Sequence, residues 1–163
     1  MSEQQTPSFR LTVPWIGAEI ALSAPWTFQL FRECRNATMW EVCGGAIEGS
    51  KWGWYGSNLQ KMTVTLPVGT VLGVDRIYIR RGAVAYDSLT FWLKKTVDPR
   101  FTIQKIGKKG QILKSKTRSC RFWAKLADVN NIECQPIKPE GADAETTQAY
   151  NSFAGLGIRA LEI

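Results

Sequence analysis

Histidine is absent from this chain of 163 residues. That absence excludes Ser-His-Asp and Cys-His catalysis, histidine metal triads and the HEXXH metalloproteases. It also removes the side chain most often used as general acid or base near neutral pH. An enzyme built on this sequence would have to run on carboxylates, Lys, Tyr or Cys. Carboxylates offer little, because Asp75, Asp87, Asp98 and Asp128 are scattered and form no D…E-x-K nuclease spacing. Gly107-Lys108-Lys109-Gly110-Gln111 lacks the Walker A spacing.

Other absences narrow the class. No apolar run approaches the roughly 20 residues a helical membrane span needs. The polar stretch Met1 to Pro7 does not read as a secretory signal, so a soluble cytoplasmic protein is expected. Cysteines are few, at Cys34, Cys43, Cys120 and Cys134, and no pair has C-x2-4-C spacing. Without histidine this disfavours structural zinc, and a reducing compartment keeps the thiols free. Neither a metal nor a cofactor is expected.

Acidic residues are scarcest in one place. Residues 76–125 carry fourteen Lys or Arg against two acids, Asp87 and Asp98, so the net charge of +7 arises from the middle of the chain. Tyr78, Tyr86, Phe91, Trp92, Phe101, Phe122 and Trp123 are interleaved with that charge. A localised positive field beside flat rings suits a polyanion with stackable bases.

Hydrophobic content of 44% and the chain length allow one domain with a sizeable core. The organisation expected is a tail over 1–8, a β-rich domain over 9–138 and an acidic appendage over 139–163 packed on the domain. Period-2 alternation marks Phe9 to Trp15, Ala18 to Leu22, Trp26 to Phe31, Lys61 to Leu66, Thr70 to Arg81, Ser88 to Thr96 and Arg118 to Ala127 as strands. Residues 36–43 read ambiguously, with a further strand centred on Met39 to Val42 as the assignment. Phe101 to Ile106 and Gln111 to Leu113 flank Gly107-Lys108-Lys109-Gly110 as a tight basic hairpin, and Ile132 to Ile137 follows a turn at Asn130-Asn131. Acids in the first turn of Asp143 to Phe153 suggest one short C-terminal helix. The fold class predicted is all-β or β-dominated, an antiparallel barrel or sandwich of about nine short strands.

Three constellations carry the functional expectation. Arg76, Tyr78 and Arg80 lie at i, i+2 and i+4 of one strand, with Arg81 beside them; Arg121, Trp123 and Lys125 repeat the pattern of cation, ring, cation on another. Guanidinium groups flanking a ring could grip phosphates while the ring supports a base. The hairpin adds Lys105, Lys108, Lys109, Lys114, Lys116 and Arg118. A fourth element, the glycine-rich segment Gly44 to Asn58, holds Lys51, Trp52, Trp54 and Tyr55, which either pin the loop to the core or form a contact surface. The function expected is non-catalytic binding of RNA or single-stranded DNA. A protein–protein inhibitor or adaptor of phage or mobile-element type is the second reading, and a pocket for a nucleotide-like anion the third.

Overall fold

The computed structural model describes residues 16–45, 60–79 and 87–137. Nine strands appear among them: β1 Glu19–Leu22, β2 Trp26–Phe31, β3 Lys61–Leu66, β4 Val71–Tyr78, β5 Ser88–Lys95, β6 Thr102–Ile106, β7 Ile112–Thr117, β8 Cys120–Lys125 and β9 Cys134–Ile137. The main sheet has five antiparallel strands in the order β8-β5-β4-β1-β9, while β2–β3 and β6–β7 are separate two-stranded ribbons. The expectation of a β-dominated fold therefore holds, but among the described residues no sheet closes, which removes the barrel alternative. None of the described helices is long and apolar enough to cross a membrane.

The strands form where alternation is strongest. Trp26, Phe28 and Leu30 of β2 are buried while Thr27 is exposed, and β3 repeats the pattern with Val64 and Leu66 inside. These residues pack against Leu89, Phe91, Leu93, Cys120, Phe122 and Ala124 on the inner side of β5 and β8. The ring of Trp26 stacks on Phe28 at 4.2 Å, and Phe28 stacks on Phe122 at 5.4 Å, so the core is centred on aromatic contacts. The indole N–H of Trp26 donates to the backbone carbonyl of Asp128 at 2.9 Å. That bond ties β2 to the short helix α2, Leu126–Val129.

Residues 36–43 depart from the expected strand. A 3-10 turn over Cys34–Asn36 leads into a helix, α1, over Ala37–Val42, which buries Met39 and Trp40. Gly44 ends it with φ of +80°, a left-handed conformation that glycine adopts without penalty. Gly45 must also lack a side chain, since a Cβ there would overlap the indole of Trp40. Six residues are too few to display a clear helical period, and a stretch as short as Met39 to Val42 cannot be assigned to helix or strand by periodicity alone. The predicted strand at Phe9 to Trp15, the glycine-rich loop from residue 46 onward and the C-terminal helix at Asp143 to Phe153 lie outside the described residues.

The β6–β7 ribbon is exposed along its length, and its base is anchored. Asp98 caps the turn Pro99–Phe101 by accepting from the Arg100 backbone N–H at 3.0 Å, and it pairs with the Arg100 guanidinium at 2.8 Å. Phe101 is buried, and the Arg118 N–H donates to its carbonyl at 2.6 Å. The Thr96 backbone N–H donates to the Thr117 hydroxyl at 3.2 Å. The ribbon thus projects from a fixed mount.

Candidate nucleic-acid interface

Strand register decides whether the two rows meet. Across the main sheet Arg76 lies opposite Thr90, which lies opposite Trp123, while Tyr78, Ser88 and Lys125 align in the next row. Gly73, Trp92 and Arg121 align on the other side. With neighbouring strands about 4.8 Å apart, the β4 and β8 residues of one row stand roughly 10 Å from each other on the same outer face. A register shift between Val74 and Arg76 puts Arg76 there although its spacing from Gly73 is odd. Arg76 donates to the Tyr78 hydroxyl at 3.3 Å. The Arg121 guanidinium lies over the Trp92 ring at 5.7 Å, and Trp92 is 37% exposed.

Trp123 corrects the sequence reading. Alternation along β8 places it in an exposed row between Arg121 and Lys125, yet its exposure is 0%. The segment from Phe31 to Asn36 crosses the edge of β8 and covers it. Phe31 stacks on the Trp123 ring at 5.3 Å with 6° between planes. Asn36 closes the free strand edge, accepting from the Trp123 N–H at 2.8 Å and donating to its carbonyl at 3.4 Å. The Trp123 indole N–H donates to the Glu33 carboxylate. Trp123 therefore offers no ring to a base, and strand alternation could not reveal this because the covering segment lies 90 residues away in sequence.

Glu33 organises that strap. Its carboxylate also accepts from the Cys34 thiol at 2.9 Å and pairs with Arg35 at 3.0 Å. Burial alone would raise its pKa, but the hydrogen bonds from Cys34, Trp123 and Arg35 and the Arg35 charge together hold it below the ordinary 4.5. Asp98 is likewise opposed by burial and, through Arg100, held below the ordinary 3.8. A carboxylate whose folded pKa is depressed stabilises the fold above its unfolded pKa and loses that contribution as pH falls through the folded value. The melting temperature should therefore be nearly flat from pH 7 to about 5 and fall steeply below about 4.5. Glu33→Gln should melt lower at pH 7 and show a shallower acid fall; an unchanged acid profile would remove Glu33 from this role.

Arg35 connects the strap to the outer face. Its guanidinium lies over Tyr78 at 5.3 Å and over Trp123 at 5.6 Å. Tyr78 is thereby held between Arg35 and Arg76, and the hydrogen bond from Arg76, aided by the charges of both, lowers its pKa against the effect of burial. Lys125 is half-buried, with its ammonium 4.7 Å from the centre of the Phe31 ring. The outer face thus presents Arg76, Tyr78, Trp92 and Arg121, with Lys125 at its margin.

The ribbon carries the densest charge. Lys105 lies directly opposite Lys114, and Ile103 opposite Lys116, so all three lysines project from one side. Lys108 and Lys109 occupy the turn, and Arg118 is exposed at the base. Among the described residues none of these six cations has an ion-pair partner. Where the ribbon leaves the body, Lys94, Lys95 and Thr96 face Thr102, Ser115, Lys116 and Thr117 across an open groove of about 470 Å³. Gly73 leaves room for Lys94, whose Cε would lie 2.9 Å from a Cβ there.

Sequence reading missed Arg35, Trp92, Lys94 and Lys95. Trp92 and Lys94 were legible, because burial of Leu89, Phe91 and Leu93 turns the intervening residues of β5 outward. Arg35 had no signal, since the rings it lies over, Tyr78 and Trp123, are remote in sequence. Arg80, Arg81, Lys51, Trp52, Trp54 and Tyr55 lie outside the described residues. All four cysteines are free, and burial pushes Cys120 and Cys134 up to about 12, so neither is a thiolate near neutral pH. No group of three or more potential metal ligands occurs among the described residues. Comparison with known proteins finds no matching family model, no matching curated protein and no matching solved structure.

Proposed function

We propose that this protein binds nucleic acid through the β6–β7 ribbon and the outer face of the main sheet, without catalysing a reaction. The observation that carries this reading is Lys105 facing Lys114 across a ribbon with no carboxylate beside them. Like charges directly opposite one another weaken a two-stranded ribbon. They become favourable when a polyanion lies against them and its counterions are released. Trp92, 37% exposed, and the half-buried Tyr78 border the cations of the outer face.

Anisotropy of labelled oligonucleotides, titrated at about 50 mM salt and again near 200 mM, tests this reading, since phosphate-driven binding weakens steeply over that range. Wild-type protein should bind at the lower salt and lose most of its affinity at the higher. Arg76→Gln combined with Arg121→Gln should weaken binding by about 3- to 10-fold, the loss of one or two phosphate contacts. No binding of any single- or double-stranded oligonucleotide at low salt would overturn the reading.

A further inference from the structure

Charge explains the lysines of the ribbon but not its aliphatic residues. Ile106 and Ile112 pair beside the turn and are 54% and 58% exposed, and Leu113 next to them is 57% exposed. A register shift at Lys105/Ile106 leaves Leu113 without a partner across the ribbon, and bulges of this kind re-aim side chains. Exposed aliphatic side chains at the end of a lysine-lined ribbon are unfavourable in water. They need an occupant that is anionic on its flanks and apolar within.

We infer that the ribbon is an arm that enters a groove of duplex DNA and bends it, an inference that rests on the nucleic-acid reading above. Lys105, Lys114 and Lys116 would line the phosphates, while Ile106, Ile112 and Leu113 press on base pairs at the groove floor. The dimensions allow it. Five residues of β6 extend roughly 17 Å, beyond the minor-groove depth of about 7.5 Å, and β-ribbons enter the minor as well as the major groove of DNA. Apolar wedges between base steps unstack and kink the duplex.

Two observations favour a duplex over other polyanions. A single strand needs a run of accessible rings, but Trp123 is buried and Tyr78 is half-buried between two guanidiniums, which leaves Trp92, 37% exposed beside Arg121, as a lone platform among the described residues. An anionic membrane is flat, whereas Lys94, Lys95 and Lys116 line a concave groove at the arm's base, suited to a charged rod.

The test uses a duplex of about 30 base pairs carrying a fluorescent donor and acceptor at its ends, compared with each strand alone. Wild-type protein should prefer the duplex by at least about fivefold, and saturation should raise energy transfer between the ends. Ile106→Ser with Ile112→Ser and Leu113→Ser should keep duplex affinity within about threefold, because the phosphate contacts remain, yet lose most of the energy-transfer change. Leu113→Ser alone should lose part of it, and serves if the triple variant does not fold. Equal or better binding of a single strand, a saturated but unbent duplex, or normal bending by the triple variant would each overturn the inference while leaving nucleic-acid binding intact. Sedimentation with anionic vesicles that requires the aliphatic tip, together with an unbent duplex, would assign the arm to a membrane surface instead. Failure to bind duplex or strand at low salt would remove both proposals together.

Discussion

Lys114→Glu is expected to make the protein slightly more stable and at the same time a far poorer ligand for nucleic acid. Lys114 stands directly across the ribbon from Lys105, so the new carboxylate would face an ammonium where repulsion existed before. The gain is small, up to about 0.5 kcal/mol, because the pair is exposed and screened by solvent. The loss in binding is large. One cation becomes an anion, and Lys105 is drawn into a pair within the ribbon. Removing about two phosphate contacts should flatten the slope of log affinity against log salt by nearly 2 for duplex DNA and weaken binding at least tenfold at low salt. Urea denaturation and the salt titration together decide it. If Lys114→Glu destabilised the ribbon, or left the salt slope unchanged, the facing lysines would not be a binding device.

The contrast between β5 and residues 36–43 shows what local pattern can and cannot reveal. Leu89, Phe91 and Leu93 form the inward face of β5, so their alternation located the strand, although Ser88 and Thr90 on its other face are buried as well. The lysine ribbon was equally legible, because Gly107 to Gly110 makes a turn and its flanks alternate. Gly110 has φ of +77°, which is why glycine closes that turn. Residues 36–43 failed because one and a half turns of helix, with Met39 and Trp40 buried and Val42 and Cys43 half-buried against the core, are too short to display a period. The open arrangement of sheets was also hidden. Barrel closure depends on which edges pair, and β2 pairs with β3 rather than joining the main sheet.

For the candidate interface, the alternation of β8 separates Arg121 from the core but does not show what covers Trp123. Arg76 and Arg121 do share one side of the sheet through their register with Thr90 and Trp92. Arg121 follows from the pleat of β8, but Arg76 reaches that side only through the register shift after Val74, since strict alternation would place it with the buried Leu72 and Val74. The fate of the residue between Arg121 and Lys125 depends on a distant strap. A tryptophan flanked by cations looks alike in sequence whether it stacks on a base or on Phe31.

Trp123→Ala should be among the most destabilising single changes in the described part of the chain, by about 3–5 kcal/mol. The indole is fully buried, and its removal opens a cavity against Phe31. It also deprives the buried Glu33 carboxylate of one donor, leaving Cys34 and Arg35 to hold it. Trp123→Phe separates the two effects. A phenyl ring can still stack on Phe31 but donates nothing to Glu33, so the cost should fall to about 1–3 kcal/mol. Chemical denaturation of the three proteins gives the ranking. The Phe variant also tests the assignment of Trp123 to the core rather than to the interface. Held in its fold, Trp123→Phe should bind oligonucleotides within about twofold of wild type, because the indole is not a surface that bases can reach. A large loss of affinity with little loss of stability would mean that the strap opens on binding and that Trp123 stacks on a base after all.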